Sequence, residues 1–423
     1  MDDPAFAMPE TDLTTQTILL HASQHDLAAL KPLLRTPGAA SVQDPETGYT
    51  ALHACIGACS RESSAEELAR AKEVVHELFL SGAIWNDLST AENETPGCLA
   101  WRLGLSELYE VCVEAGVRAE MLMNLMGGYE ALSSQGEEED EVEVEVEEEV
   151  VVVDVKEGEG EGIGGEAQAQ QNGQGGEEIK KDVNSKDYLA SDLTFSDDKL
   201  LDDDGNGVMM KWETEIMERS VSLLLPSEQE QEQDQDQVQP AQGKRILNIG
   251  FGMGIIDKLF AATKPAKHHI IEAHPSVLRV LQAAGPDLGI NADPSTTVVH
   301  AGRWQDVCQS LLEAGEVYDA IYFDTFGEDY AQLRLFFTEL VVGLLDPAGR
   351  FGFFNGLGAD RRVCYDVYTR VVEMDLVEAG LETEWTTVPV QELGAENQGE
   401  WQGVRRRYWT LDEYRLPVCT FLA

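Results

Sequence analysis

The stretch Arg245-Ile246-Leu247-Asn248-Ile249-Gly250-Phe251-Gly252-Met253-Gly254 constrains this chain more than any other, because a short apolar run passes directly into glycine at every second position. Ile246, Leu247 and Ile249 read as a buried strand, and the three glycines as a turn whose backbone must pass close to a large neighbour. The next apolar run, His269-Ile270-Ile271-Glu272, ends on a carboxylate about where a Rossmann-type βαβ unit places the group that holds two ribose hydroxyls. A dinucleotide fingerprint needs its third glycine where Ile255 stands, so the spacing is GxGxG and not GxGxxG. A GxGxG turn with a downstream acid is the usual mark of S-adenosylmethionine binding, where no phosphate needs cradling. The competing reading is a tight strand-to-helix turn in any α/β domain.

After the turn, helical and strand periodicities alternate regularly. The pattern predicts a helix from Ile255, a strand His269 to Glu272, a helix Pro275 to Ala284 and a strand Thr297 to His300. A fourth strand starts at Tyr318 and ends near Asp324, where open α/β sheets place ligand-binding groups. Then come a helix Gln332 to Leu345, a turn Asp346 to Gly349, a strand to Phe354, a helix Val363 to Ala379 and late strands near Glu384 to Pro389 and Arg407 to Thr410. The count fits an α/β, Rossmann-like, seven-stranded and mostly parallel sheet with a final hairpin, the methyltransferase layout. Upstream, Gly207 to Arg219 reads as one helix, with Trp212, Ile216 and Met217 in the core and Glu213 a solvated carboxylate.

Residues 12–130 show paired helical segments instead. Gln16 to Ala22 is followed by Asp26 to Leu34, and Thr50-Ala51-Leu52-His53-Ala54-Cys55-Ile56 by Ala71 to Ala83. A weaker copy runs from Thr95-Pro96 through Val117. The pattern is close to the ankyrin T-P-L-H-x-A, so a small all-α, ankyrin-like array is expected, with His21 and His53 bonding within its turns. Its business would be contact with another protein, or stacking against its own catalytic domain.

Residues 131–180 form an acidic low-complexity linker, in which the Glu-Val alternation from Glu141 imitates a strand but its carboxylates repel one another. A second acidic and Gln-rich tract, at 227–240, is expected to loop out of the domain spanning 181–423. The formal charge of −48 argues against nucleic acid and anionic membrane as partners and for a basic protein. The seven cysteines form no CxxC pair, and neither a secretory leader nor an apolar run near 18 residues is present, so a soluble intracellular protein is expected. His268 and His269 point to opposite faces of a strand, so no metal is expected there, and Arg405 to Arg407 should pair with nearby acids.

Six ordered segments carry a resemblance. Val208-Met209-Met210-Lys211-Trp212-Glu213-Thr214, the glycine turn, Ile271-Glu272-Ala273-His274, Gly302-Arg303-Trp304-Gln305-Asp306-Val307, Tyr322-Phe323-Asp324-Thr325-Phe326 and Phe353-Phe354-Asn355-Gly356-Leu357-Gly358 resemble the arginine N-methyltransferase 2 family, which is similar to guanidinoacetate N-methyltransferase. The acidic inserts have no counterpart in it. The resemblance implies methyl transfer from S-adenosylmethionine to the internal (delta) nitrogen of arginine in a protein substrate. It places Phe251, Gly252, Met253, Gly254, Ile255 and Ile256 against the cofactor's methionine and ribose, Glu272 on the ribose hydroxyls, and Ala273 and His274 beside the adenosine. Trp304 and Gln305 would flank the adenine, while Tyr188 and Met217 would close the pocket. Glu213 and Asp324 become the acceptor's clamp, with Asp324 also beside the cofactor.

Physical chemistry agrees with that pair, since a guanidinium is a planar cationic fork that two carboxylates hold in one orientation. The other reading of Asp324 is an N-cap for the following helix. Two alternatives to the main reading stay open: a small-guanidine methyltransferase, and a non-catalytic ankyrin scaffold with a cofactor-sensing domain. The expected partner is a protein presenting arginine, such as a basic ribosomal or RNA-associated protein. A monomer resident in cytoplasm and nucleus is expected.

Overall fold

Side-chain caps set where the N-terminal helices begin. In the computed structural model, which describes residues 10–90, 92–134, 185–226, 243–284 and 296–422, α1 (Glu10–Ser23) leads to α2 (Leu27–Leu33), whose first turn is capped by Asp26. Thr50 opens α3 (Ala51–Gly57) through a capping box closed by the His53 ring, and Ser64 with Glu67 opens α4 (Ala65–Leu80) the same way. Thr95 caps α5 (Pro96–Leu103), which has Pro96 in its first turn, and α6 (Ser106–Ser134) follows after Gly104 in the left-handed region. The paired helices expected from periodicity are therefore present, with α6 described as far as Ser134. His53 Nδ1 accepts from the Thr50 backbone N–H, so its Nε2 carries the proton and donates to the Glu94 carbonyl at 2.9 Å. His21 does not bond as expected; its ring nitrogen stays 3.9 Å from the Asp26 carboxylate.

These helices do not stand alone. Their core, built on residues such as Leu52, Val75, Leu99 and Cys112, continues into Val363, Val367 and Val371. Those valines belong to a helix of the downstream domain.

That domain begins with α7 (Ser185–Ala190) and a three-stranded antiparallel sheet, β1 (Thr194–Phe195), β2 (Lys199–Leu201) and β3 (Gly207–Met210). The segment expected to be one helix from Gly207 is thus strand β3, a 3-10 turn at Lys211–Glu213 and then α8 (Thr214–Leu224). Pairing with β2 wins over helical periodicity there. Ile216 and Met217 are buried as expected, whereas Trp212 is half-buried and Glu213, far from solvated, is buried.

The main sheet then alternates β4 (Arg245–Ile249), α9 (Ile255–Ala262), β5 (Lys267–Glu272), α10 (Pro275–Ala284), β6 (Thr297–Ala301), α11 (Trp304–Glu313) and β7 (Tyr318–Phe323). After β7 come α12 (Tyr330–Leu335), a π-helical turn Phe336–Leu340, α13 (Val341–Leu344), β8 (Leu345–Phe353), α14 (Arg362–Glu378), β9 (Leu381–Pro389) and β10 (Glu413–Phe421). The strand order is β6-β5-β4-β7-β8-β10-β9, with β10 antiparallel to both neighbours and the first five strands parallel. The expected seven-stranded, mostly parallel sheet is present.

Two late expectations need correction. Arg407 to Thr410 is irregular, and the closing strand is β10, three residues further on. The expected turn Asp346 to Gly349 is a bulge within β8, where the partner of β7 jumps from Leu345 to Arg350. Arg245 locks that corner, reaching Asp319 at 3.0 Å and Asp346 at 2.8 Å. Of the arginine run, Arg405 meets Asp204 at 3.4 Å, while Arg407 donates to the Gly394 carbonyl at 3.2 Å. The acidic tract at 227–240 and most of the one at 131–180 lie outside the described residues.

Candidate functional site

Chain order reverses between β4 and β7, and ligands of open α/β sheets bind beyond the carboxyl ends of strands at such a point. Here β4 runs into the glycine turn. Gly250 adopts φ +92°, and a Cβ on it would come within 1.9 Å of the Asp324 carbonyl, so only glycine lets the turn pass the end of β7. The Asp324 N–H in turn bonds the Ile249 carbonyl at 2.9 Å. Gly254, at φ +70°, starts α9, and the Phe251 ring fills the space its side chain would need.

Glu272, at the end of β5, accepts from the Phe251 N–H at 3.0 Å and the His274 N–H at 2.6 Å. Burial raises its pKa, and these backbone donors oppose the rise. His274 Nδ1 accepts from the Ser276 N–H, so Nε2 donates to the Tyr188 carbonyl at 3.1 Å and ties α7 over the site. The Tyr188 ring packs between His274 and Phe326, with centroids 4.8 and 5.0 Å away.

Around this turn lies a cavity of about 630 Å³. Of the residues expected to bind cofactor, Tyr188, Gly252, Glu272, Ala273, Trp304, Gln305 and Asp324 line it together. Met217, Phe251 and Ile256 lie in the hydrophobic core beneath, with Met253 and Ile255 packed against it, and Gly254 and His274 support the wall from behind. Gln305 offers a specific test of fit. Its amide nitrogen is taken up by Gln332 at 2.9 Å, while its Oε1 is buried in this wall without a partner. An adenine amino group is a donor that would satisfy it, and the Glu272 carboxylate suits ribose hydroxyls. The residues therefore fit S-adenosylmethionine.

A second cavity, about 850 Å³, opens off the same end of β7. Glu213 and Asp324 both line it, brought together from the 3-10 turn before α8 and from the end of β7. Asp324 is not an N-cap, since Asp329 caps α12. Burial drives the Glu213 pKa up to about 8, reinforced by the Asp324 charge and opposed by a hydrogen bond from the Tyr408 hydroxyl. Burial alone lifts Asp324 to about 7. Four lining residues are carboxylic acids (Glu213, Asp324, Glu328 and Asp329), and none of the lining residues described is Lys, Arg or His. Such a cavity selects a cation.

Periodicity and motif spacing missed three residues here. Tyr408 orients Glu213, Met209 accepts the Met253 N–H through sulfur at 3.2 Å, and Glu328 touches both cavities. For Glu328 a signal existed, since it stands four residues past Asp324 in the same acidic loop. Tyr408 falls in the segment expected to be a strand from Arg407 to Thr410, which is irregular, and that reading gave it no role in the site.

Residues 174–393 match the family model described as guanidinoacetate N-methyltransferase. A protein of Neurospora crassa named protein arginine N-methyltransferase 2 is 54% identical to this chain over 96% of it and 95% of that protein. Proteins of the same name from Gibberella zeae and Saccharomyces cerevisiae are 51% and 35% identical, over 93% and 90% of this chain and 90% and 85% of theirs.

Proposed function

The chain belongs to the protein arginine N-methyltransferase 2 family, S-adenosylmethionine-dependent enzymes, and from that membership we propose that it methylates the internal (delta) nitrogen of arginine side chains in a protein substrate. The observation that carries this reading is the pairing of buried Glu213 with half-buried Asp324 in a cavity rich in acids, none of whose described lining residues is a base. When bound, the cofactor supplies an electrophilic methyl group on a sulfonium.

The chain's own part is positioning and charge. Tyr408 takes one lone pair of Glu213 Oε1, the Met210 backbone adds a second hydrogen bond, and together they aim the carboxylate. Two carboxylates that engage the terminal amino groups of a guanidinium leave the internal nitrogen to face the neighbouring cavity. Held in line, that nitrogen gains rate by proximity, and a carboxylate with a raised pKa accepts the proton that nitrogen loses.

A carboxylate-bearing small guanidine would place its negative end among four acids, which favours an arginyl side chain within a protein. The N-terminal helix pairs support the same reading as a short ankyrin-like array that docks the protein substrate, with Thr50 and Thr95 capping and His53 bridging successive turns. The test compares kcat/KM for an arginine-containing basic peptide with that for guanidinoacetate. A preference for the peptide is expected; a preference for guanidinoacetate would move the enzyme to the small-molecule branch.

A further inference from the structure

One charged side chain outside the clamp belongs to both cavities. They share Val208, Asp324, Thr325, Phe326 and Glu328. The Glu328 carboxylate accepts the Trp304 indole N–H across both oxygens, at 3.0 and 2.9 Å. Oε1 also faces the Gln305 amide at 3.4 Å, and Oε2 takes the Thr325 hydroxyl at 2.7 Å. Trp304 and Gln305 open α11 on the cofactor side, whereas Thr325 directly follows the clamp residue Asp324. Gly327, at φ +74°, turns the loop so that residue 328 comes back over the sheet.

The four contacts come from three donors, because the Trp304 N–H is shared between both oxygens, and they take up most of the roughly four acceptor sites a carboxylate offers. Both oxygens are thus bonded to residues of the cavity walls, and the side chain acts through those neighbours. The Trp304 ring also packs edge-on against Phe323, the last residue of β7, at 5.5 Å. A shift of the indole is thereby passed both to the strand end that carries Asp324 and to the adenine wall.

We propose that Glu328 is a positioning residue that couples the two cavities, so that cofactor and arginyl substrate each strengthen the other's binding. The proposal rests on the assignment of the cavities to S-adenosylmethionine and a guanidinium. Ordering Trp304 and Gln305 against an adenine fixes the carboxylate they share, and the fixed carboxylate holds Thr325 and the backbone of Asp324 in the geometry that receives the guanidinium. Linkage makes the effect reciprocal.

The experiment is calorimetry on the full chain, with S-adenosylhomocysteine titrated alone and again in the presence of a saturating arginine-containing basic peptide. For the wild type, a coupling factor within the ordinary range of roughly 5- to 150-fold is expected. In Glu328→Gln, which keeps the shape but sets amide hydrogens against the donors, the factor should fall to about one and S-adenosylhomocysteine affinity should drop roughly tenfold. Thr325→Val cuts only the acceptor branch; it should lose the coupling with a smaller loss of S-adenosylhomocysteine affinity. Misfolding would lower the binding stoichiometry and leave both ratios intact. A wild-type factor of one, or a wild-type factor retained by Glu328→Gln, would overturn the proposal. If the wild type bound S-adenosylhomocysteine but no arginine peptide, the acceptor assignment itself would fall, and this proposal with it.

Discussion

Glu213 is buried and Asp324 half-buried, and desolvation raises both pKa values, with the Asp324 charge adding to the rise at Glu213. The sign of the consequence follows from linkage. Between an unfolded carboxylate pKa near 4 and the folded values of about 7 and 8, the unfolded chain binds fewer protons, so the ligand-free protein loses stability as pH rises through that window. Glu213→Gln should flatten this slope and raise the melting temperature at pH 8.5 by a few degrees, while lowering turnover roughly 10²- to 10⁴-fold. Calorimetric scans at pH 5 and 8.5 check the first half; an unchanged slope would remove the burial argument. The kcat/KM of the wild type should climb between pH 6 and 8 as the pair ionises. Glu272→Ala should weaken cofactor binding more than it slows saturated turnover, a split that separate measurements of cofactor Kd and kcat would reveal.

At the scale of elements, the site hangs on how closely β4 and β7 approach at the glycine turn. Gly250→Ala must find room against the Asp324 carbonyl at a positive φ, so it should cost at least about 1–3 kcal/mol and weaken cofactor binding in the same protein. Denaturant titration beside cofactor calorimetry measures both; a fully stable Gly250→Ala that binds normally would contradict the close approach. This turn was legible in the sequence because glycines at alternate positions have few other uses, and the start of α10 at Pro275 was legible because its apolar spacing is clean. The segment from Gly207 misled because its apolar residues suit a helix, while the partner strand that claims Gly207–Met210 comes from β2, which periodicity did not reveal. The closing strand was misplaced because its burial runs nearly unbroken from Leu416 to Cys419, leaving no alternation to read. That Glu213 would share a cavity with Asp324 was readable only through family resemblance. The burial of Glu213 comes from the Tyr408 segment, far away in sequence.

For the whole molecule, the N-terminal helices and α14 share one core. Beyond Val363 and Val367, the Tyr109 hydroxyl donates to Asp366, Arg370 meets Glu110 at 2.7 Å, and the Arg362 guanidinium lies 4.6 Å over the Trp101 ring. Heat should therefore unfold residues of both regions in one cooperative transition. Val367→Asp, placing a charge in this fully buried contact, should lower the melting temperature without splitting the transition. Two separate calorimetric peaks in the wild type would mean that the shared core is energetically minor. The packing also commits one face of the helical array to the enzyme.

The most direct measurement is mass spectrometry of an arginine-containing basic peptide after incubation with the full chain and isotopically labelled S-adenosylmethionine, alongside Asp324→Asn. The account predicts one added methyl group, fragment ions that place it on the internal guanidino nitrogen, and loss of that signal in the variant. Methyl on a terminal nitrogen, or a variant as active as the wild type, would contradict the role given to the carboxylate pair.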